Sequence, residues 1–309
     1  MSQTVAAFQR CPRCGNENSA DSFACNFCGF RLKTERIENI RFFRRHEAEW
    51  TNPFPWYLKI LYLFINPPKA FWDINHKRTK APGGLILLFS SLLYGLMGLA
   101  FISHFTFPGI EAYSPTQFLM NLSFFLSFFI FGICFQAIFF AVLIWLFTKG
   151  ANYAVGFSQR LETRFGGVKE DRDKYQQADI SPFSIYKGGT MLQLEASHKF
   201  SMMLCAFSPF LLVNAIKALI VLIGFPPVTV PDFSSTNIAV VLDQIFNSGT
   251  WAVLDVIDAL TIAIWVPILM TLSIRELSNS STTRVLISTI IVGVIVAIVF
   301  YFLRPTLFG

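Results

Sequence analysis

Cys11, Cys14, Cys25 and Cys28 form two Cys-x2-Cys pairs separated by ten residues. Thiolates at this spacing close two tight turns around one ion, with four sulfurs about 2.3 Å from a tetrahedral metal, and zinc is the expected occupant. Gly15 and Gly29 directly follow the second cysteine of each pair. Glycine there permits the positive φ that turns backbone amides toward the sulfurs. With cysteine at all four positions no coordination site stays open for water, so the ion is expected to be structural and not catalytic. A redox dithiol or a pair of disulfides would use the same residues, but two evenly spaced pairs in a reducing compartment favour metal.

A second set of chemically capable residues lies inside apolar runs, where an ionisable side chain is expensive unless paired or wetted. Lys217 lies in one such run, Asp255 and Asp258 in the next. Counting from the run ends puts both sets about 6 to 12 Å from the same side of a bilayer. Asp255 and Asp258, three apart, share a helix face, and Lys217 is expected to pair with at least one of them. Such a cluster serves either as a proton or cation site for transport or as a lock between helices. Pro209 and Pro267 suit the broken helices of transporters, yet membrane helices also tolerate proline. Asn121, Gln136 and Asn214 suit hydrogen bonds between helices, and Cys134 and Cys205 suit small packing residues. His46, His76, His104 and His198 are scattered, and no His-Glu-x-x-His, Gly-x-Ser-x-Gly or phosphate-loop pattern occurs, so no enzyme is expected.

The elements that must position these residues are apolar helices. With 53% hydrophobic residues, 35 phenylalanines and 14% charged residues in 309 positions, the chain cannot present an ordinary water-exposed surface. About 20 apolar residues span the hydrocarbon as a helix. Five runs meet that length, at 85–107, 118–147, 200–225, 251–274 and 285–303. The second would be about 45 Å long as one helix and is expected to project beyond the bilayer. No apolar core of a secretion signal occurs in the first ten residues. Lys69, Lys77, Arg78 and Lys80 precede the first run, Lys149 to Lys199 hold eight basic residues, and Arg275 and Arg284 flank the fourth loop. Pro108 to Gln117 and Pro226 to Thr250 hold none. This alternation predicts a cytosolic N-terminus and an outside C-terminus, with Arg304 alone against it. The net charge of +6 belongs mostly to those loops, where topology and anionic lipid explain it better than nucleic acid does.

The expected architecture is therefore an all-α membrane protein: a five-transmembrane-helix bundle with a small N-terminal zinc ribbon and interfacial helices. Residues 1–32 make the ribbon, 33–65 a linker and interfacial amphipathic segment, and 66–309 the five-span domain. In the linker, Leu32, Ile37, Ile40 and Phe43 have near-helical spacing and predict a short helix that docks or extends. The following Pro53 to Ile65 segment is too short to cross. Trp56 and Tyr57, with Phe71 and Trp72 beyond, suit either the headgroup boundary or packing on the end of the bundle. In the first span Ser91, Gly95 and Gly98 clear one side for close approach by another span or another subunit, the latter giving a homo-oligomer. Gln159 to Gln177 mixes both charges with few apolar groups, as a solvated loop or a partner-binding segment would.

Two resemblances add to this. CPRCGNENSADSFACNFCGFRL resembles the short zinc ribbons of many prokaryotic membrane proteins. Asn66-Pro67-Pro68-Lys69-Ala70-Phe71-Trp72-Asp73-Ile74 looks like the lead-in to the first span of Yip-domain proteins, and the likeness continues through Ala206-Phe207-Ser208-Pro209, Trp265 and Leu269, covering about 66–303. The resemblance implies a non-catalytic membrane adaptor that organises membranes or serves vesicle-type trafficking, with lipids and a cytosolic protein as partners. In eukaryotic members that partner is a small Rab-type GTPase. The Asp-Leu-Tyr-Gly-Pro motif of that branch is absent here and the ribbon is typical of archaeal or bacterial relatives, which weighs against a GTPase. The membrane would be the cell membrane in a prokaryote and an endomembrane in a eukaryote. Against the adaptor stands an ion-coupled small-solute transporter or channel built on Lys217, Asp255 and Asp258.

Overall fold

Proline placement divides the apolar sequence into its helices. Pro55 leads α1 (Trp56–Ile65), and Asn66, at φ −148°, ends it, since the residue before a proline avoids helical geometry. Pro67 and Pro68 then open α2 (Pro67–His76), where a first-turn amide has no partner to lose. In the same way Pro209 follows a 3-10 turn at Cys205–Phe207 and restarts the helix. Pro267 is preceded by a π turn at Thr261–Trp265, in which the Val266 amide reaches back to the Thr261 carbonyl. That wider turn absorbs the hydrogen bond and the space that a proline ring denies an α-helix.

The computed structural model describes residues 8–19, 22–25, 27–47, 52–77, 80–108, 114–166, 196–229, 240 and 243–308. Beyond α1 and α2 the helices are α3 (Gly83–Ile102), α4 (Pro115–Gly166), α5 (Ala196–Leu204), α6 (Pro209–Gly224), α7 (Gly249–Leu260), α8 (Val266–Ser278) and α9 (Thr282–Phe308). Five stretches are long and apolar enough to cross a membrane: Gly83–Ile102, Pro115–Ala154, Ala196–Gly224, Gly249–Ser278 and Thr282–Tyr301. Their outward faces carry large apolar side chains, with Phe118 and Ile138 each 67% exposed and Ile223 82% exposed. Only lipid makes such a surface favourable, and the chain is an all-α integral membrane protein. The first span ends at Ile102, short of the expected 107, because Phe105–Thr106 leaves the helix as strand β3 of a two-stranded sheet. The second runs on as α4 to Gly166, so the charged stretch from 159 begins as helix; its remainder, 167–177, lies outside the described residues.

The chain divides into two units. The first comprises Met1–Gly83, Leu143–Ala206 and Pro267–Val292. It opens with the antiparallel pair β1 (Phe8–Arg10) and β2 (Glu17–Ser19), and its interior holds Leu63, Phe71, Ile74, Met202, Met203 and Leu272. Gly83 lets α3 begin against α5: a Cβ there would sit 2.2 Å from the Ser201 carbonyl oxygen. The linker departs from the expected helical stripe. A single 3-10 turn spans Arg36–Asn39, Ile40 is 55% exposed, and Glu38 takes a buried position beside Phe43. A salt bridge, and not an apolar stripe, fixes this segment.

The second unit comprises Gly84–Val142, Phe207–Val266 and Gly293–Gly309. Met97, Phe101, Val221, Phe225 and Leu254 form its core, closed by β3 pairing in parallel with β4 (Val228–Thr229). Ser91, Gly95 and Gly98 do face a neighbouring helix, and it is α4 of the same chain. A Cβ on Gly95 would meet the Phe125 ring at 2.9 Å and one on Gly98 the Phe128 ring at 2.6 Å, while Ser91 Oγ donates to Gln136 Oε1 at 3.4 Å. Asn214 Nδ2 donates to Ser90 Oγ at 3.0 Å and to its carbonyl at 3.2 Å.

Candidate metal centre and intramembrane ion pair

In the first unit, two knuckles of near-identical geometry carry the cysteines. Gly15 N–H donates to the Cys11 carbonyl and Gly29 N–H to the Cys25 carbonyl, each at 2.9 Å. Both glycines have positive φ, +74° and +66°, a conformation that a Cβ would penalise. The four sulfurs lie within 4.8 Å of one another, with Cys11 to Cys28 and Cys14 to Cys25 at 3.6 Å. A tetrahedral metal with sulfurs at about 2.3 Å separates them by about 3.8 Å, whereas a disulfide requires about 2.0 Å. The residues therefore fit one metal ion, and a disulfide does not match the separations.

The surroundings split the thiols, holding the Cys25 proton loosely and the Cys28 proton tightly. Burial raises the Cys25 thiol, but the Cys28 and Phe27 amides, the Asn18 side chain and Cys14 outweigh it and bring it down to about 6. Burial pushes Cys28 up to about 12. A bound cation would stabilise all four thiolates together. Asn18, 2% exposed, donates from Nδ2 to Cys25 Sγ at 3.6 Å, and Phe30 and Leu32 pack over the sulfurs. The spacing of the cysteines gives no sign of Asn18, whose part depends on β2 folding back.

The module that carries the four cysteines is fixed to the turn between α8 and α9. Asn279, at φ +50°, ends α8 in the left-handed region. Its Oδ1 accepts from Ala24 N–H at 2.9 Å and its Nδ2 donates to the Ala24 carbonyl at 2.7 Å, as a neighbouring strand would. Arg45, 4% exposed, donates from Nε to Glu38 Oε1 at 2.8 Å and from Nη2 to the Ser280 carbonyl at 2.5 Å. Thr282 Oγ1 donates to the same Glu38 oxygen at 2.9 Å. Glu35 accepts from Ser281 Oγ and from Thr283 N–H, placing a carboxylate at the positive end of α9. Arg275, fully buried, donates to the Phe43 carbonyl and, at 3.3 Å, to Thr282 Oγ1. Arg275 reads from the sequence as a topological charge, and Glu38, Arg45 and Asn279 carry no motif of their own. The run Ser278-Asn279-Ser280-Ser281-Thr282-Thr283, dense in capping groups, was the available signal.

The interfacial candidates separate. Trp56 and Tyr57 are 49% and 56% exposed, whereas Phe71 and Trp72 take the packing alternative and are buried on α2, which packs against α5. Beside them Asp73 lies 2.9 Å from Lys77 Nζ and 3.8 Å from Lys59 Nζ, and it accepts from Phe54 N–H at 3.2 Å. Burial holds the Lys59 ammonium below the ordinary lysine range, against the pull of Asp73.

In the second unit, Lys217 Nζ lies 2.9 Å from Asp258 Oδ1 and 3.0 Å from Oδ2. The lysine side chain is 7% exposed and the aspartate 36%. Asp258 sits three residues before the π turn, on the helix face that α6 meets. Cys205 is buried and Cys134 exposed. Neither protein-family models, nor curated proteins, nor solved structures match this chain.

Proposed function

We propose that this protein is a non-enzymatic membrane adaptor of the Yip type, in which a zinc-loaded ribbon forms a fixed platform for a soluble partner on the cytosolic side. The carrying observation is the two-point bond between Asn279 and Ala24, reinforced by Arg45 and Glu38. A module hung on a flexible tether would need none of these contacts. Anchoring removes the orientational freedom that a partner would otherwise have to quench on binding. Zinc is the natural occupant because a closed set of four thiolates at tetrahedral separations is its structural site. The Yip assignment is supported by the order of motifs from Asn66 to Leu269 and by five apolar spans. The alternating basic loops support a cytosolic N-terminus.

Photo-crosslinkers at the exposed positions Arg13 and Phe27 of the full chain, in native membranes, test this reading. A defined cytosolic protein should crosslink to the wild type and vanish from the Cys11→Ser/Cys14→Ser and Asn279→Ala variants. Equal capture by all three would reject the fixed platform. Ion-coupled transport has one observation in its favour, the Lys217–Asp258 pair next to a π turn, since such turns often mark functional points in helices. Solute flux in proteoliposomes that Asp258→Asn abolishes would replace the adaptor reading with that one.

A further inference from the structure

Helix α1 is inside out. Lys59, its one charged residue, is 3% exposed and faces the interior of the first unit with Leu63, while Trp56, Tyr57, Leu61 and Ile65 are 49%, 56%, 49% and 64% exposed. At about 100° per residue these four side chains, with Ile60 and Phe64 between them, fall within one half of the helix circumference. That half is wholly apolar or aromatic. Ten residues make about 15 Å, half the thickness of the hydrocarbon, so α1 cannot cross a bilayer as a span does.

The charge around it has one sign. Residues 52–80 contain Lys59, Lys69, Lys77, Arg78 and Lys80 against the single carboxylate of Asp73. Asp73 already serves Lys59 and Lys77. Lys69 and Lys77 both stand over the ring of Phe54, at 5.3 and 5.1 Å from its centre, and Lys69 also stands over Tyr62 at 5.6 Å. Tyr62 adjoins the exposed arc of α1 at its Ile65 edge, so the ammonium groups flank the apolar face. Residues 52–80 thus carry five formal positive charges against one negative beside an exposed apolar face, and an anion suits that formal charge.

We propose that the α1–α2 hairpin binds an anionic phospholipid, its acyl chains along the exposed arc of α1 and its phosphate at Lys69 and Lys77. A bilayer lipid, and not a soluble anion or a protein, is the occupant because the same surface offers an apolar face and phosphate-binding charge side by side. Only six residues separate α2 from the span that begins at Gly83, which keeps the hairpin close to a bilayer that this span enters. The proposal stands apart from the adaptor reading and survives its failure.

The test uses the full-length protein in detergent, titrated with phosphatidylglycerol and phosphatidylcholine of identical acyl chains and read by native mass spectrometry. The wild type should retain phosphatidylglycerol preferentially. Lys69→Gln/Lys77→Gln should lower that preference about tenfold and leave phosphatidylcholine retention unchanged. Lys69→Gln alone, which spares the Lys77–Asp73 pair, should lower it severalfold and covers the case in which the double variant misfolds. An unchanged preference in Lys69→Gln overturns the proposal. A second measurement places the wild type in nanodiscs of phosphatidylglycerol brominated on its acyl chains. The fluorescence component that Trp56→Phe removes should be quenched. If it is not, a protein surface covers the arc and the proposal fails.

Discussion

Replacing Lys217 with Met leaves Asp258 without its ammonium partner, and replacing Asp258 with Met leaves a lysine that is 5% exposed without its carboxylate. Each single change should destabilise the detergent-solubilised protein, the second more, by about 3 kcal/mol. The double variant Lys217→Met/Asp258→Met should recover most of the loss, since two apolar side chains require no pairing. Additive losses in thermal or denaturant unfolding would show that the two residues do not act together. The metal centre yields a pH dependence. Without metal the Cys28 thiol keeps its proton to about 12, so loading the site must expel protons. Zinc affinity, measured against a chromogenic chelator, should therefore be higher at pH 8 than at pH 6, and a flat profile would argue against thiolate ligation. Both sets of residues were legible in the sequence because each depends on local spacing or on a conspicuous charge in an apolar run. Arg45 and Glu38 were not, since an arginine and a glutamate in a mixed-charge linker look solvated until a distant turn buries them.

Among the elements, the turn between α8 and α9 carries the most specific geometry. Asn279→Ala loses two hydrogen bonds to Ala24 and forces a Cβ-bearing residue without amide compensation to hold φ +50°. The cost should be about 2 to 3 kcal/mol. Asn279→Gly loses the same bonds but adopts that φ freely, and should cost about 1 kcal/mol less. Limited proteolysis between residues 33 and 52 should quicken in the same order, and equal rates would mean that the turn does not hold the ribbon. The five spans could be read from hydropathy alone, because a lipid-facing helix must be apolar over its whole length. Their interruptions could be read only in part. Pro209 and Pro267 left both a broken and a continuous helix open, and the local answer, a 3-10 turn in one case and a π turn in the other, follows from packing that a linear pattern does not encode. The glycine stripe likewise predicted close approach, and only the folded chain identifies α4 as the neighbour of Gly95 and Gly98.

For the molecule as a whole, the alternation of basic loops makes a prediction independent of any contact. Cysteine-free reporter tags at residues 1 and 309 should react with impermeant reagents from opposite faces of a sealed membrane, and reaction from one face would refute the assigned sidedness. One consequence concerns synthesis. Ala24 and Asn279 are 255 residues apart, so the ribbon leaves the ribosome long before the surface that receives it exists. At about 5 to 20 residues per second that interval is on the order of ten to fifty seconds. An ion that binds the four cysteines during that interval would be held without help from the α8–α9 turn, and the module can seat only once that turn has been made.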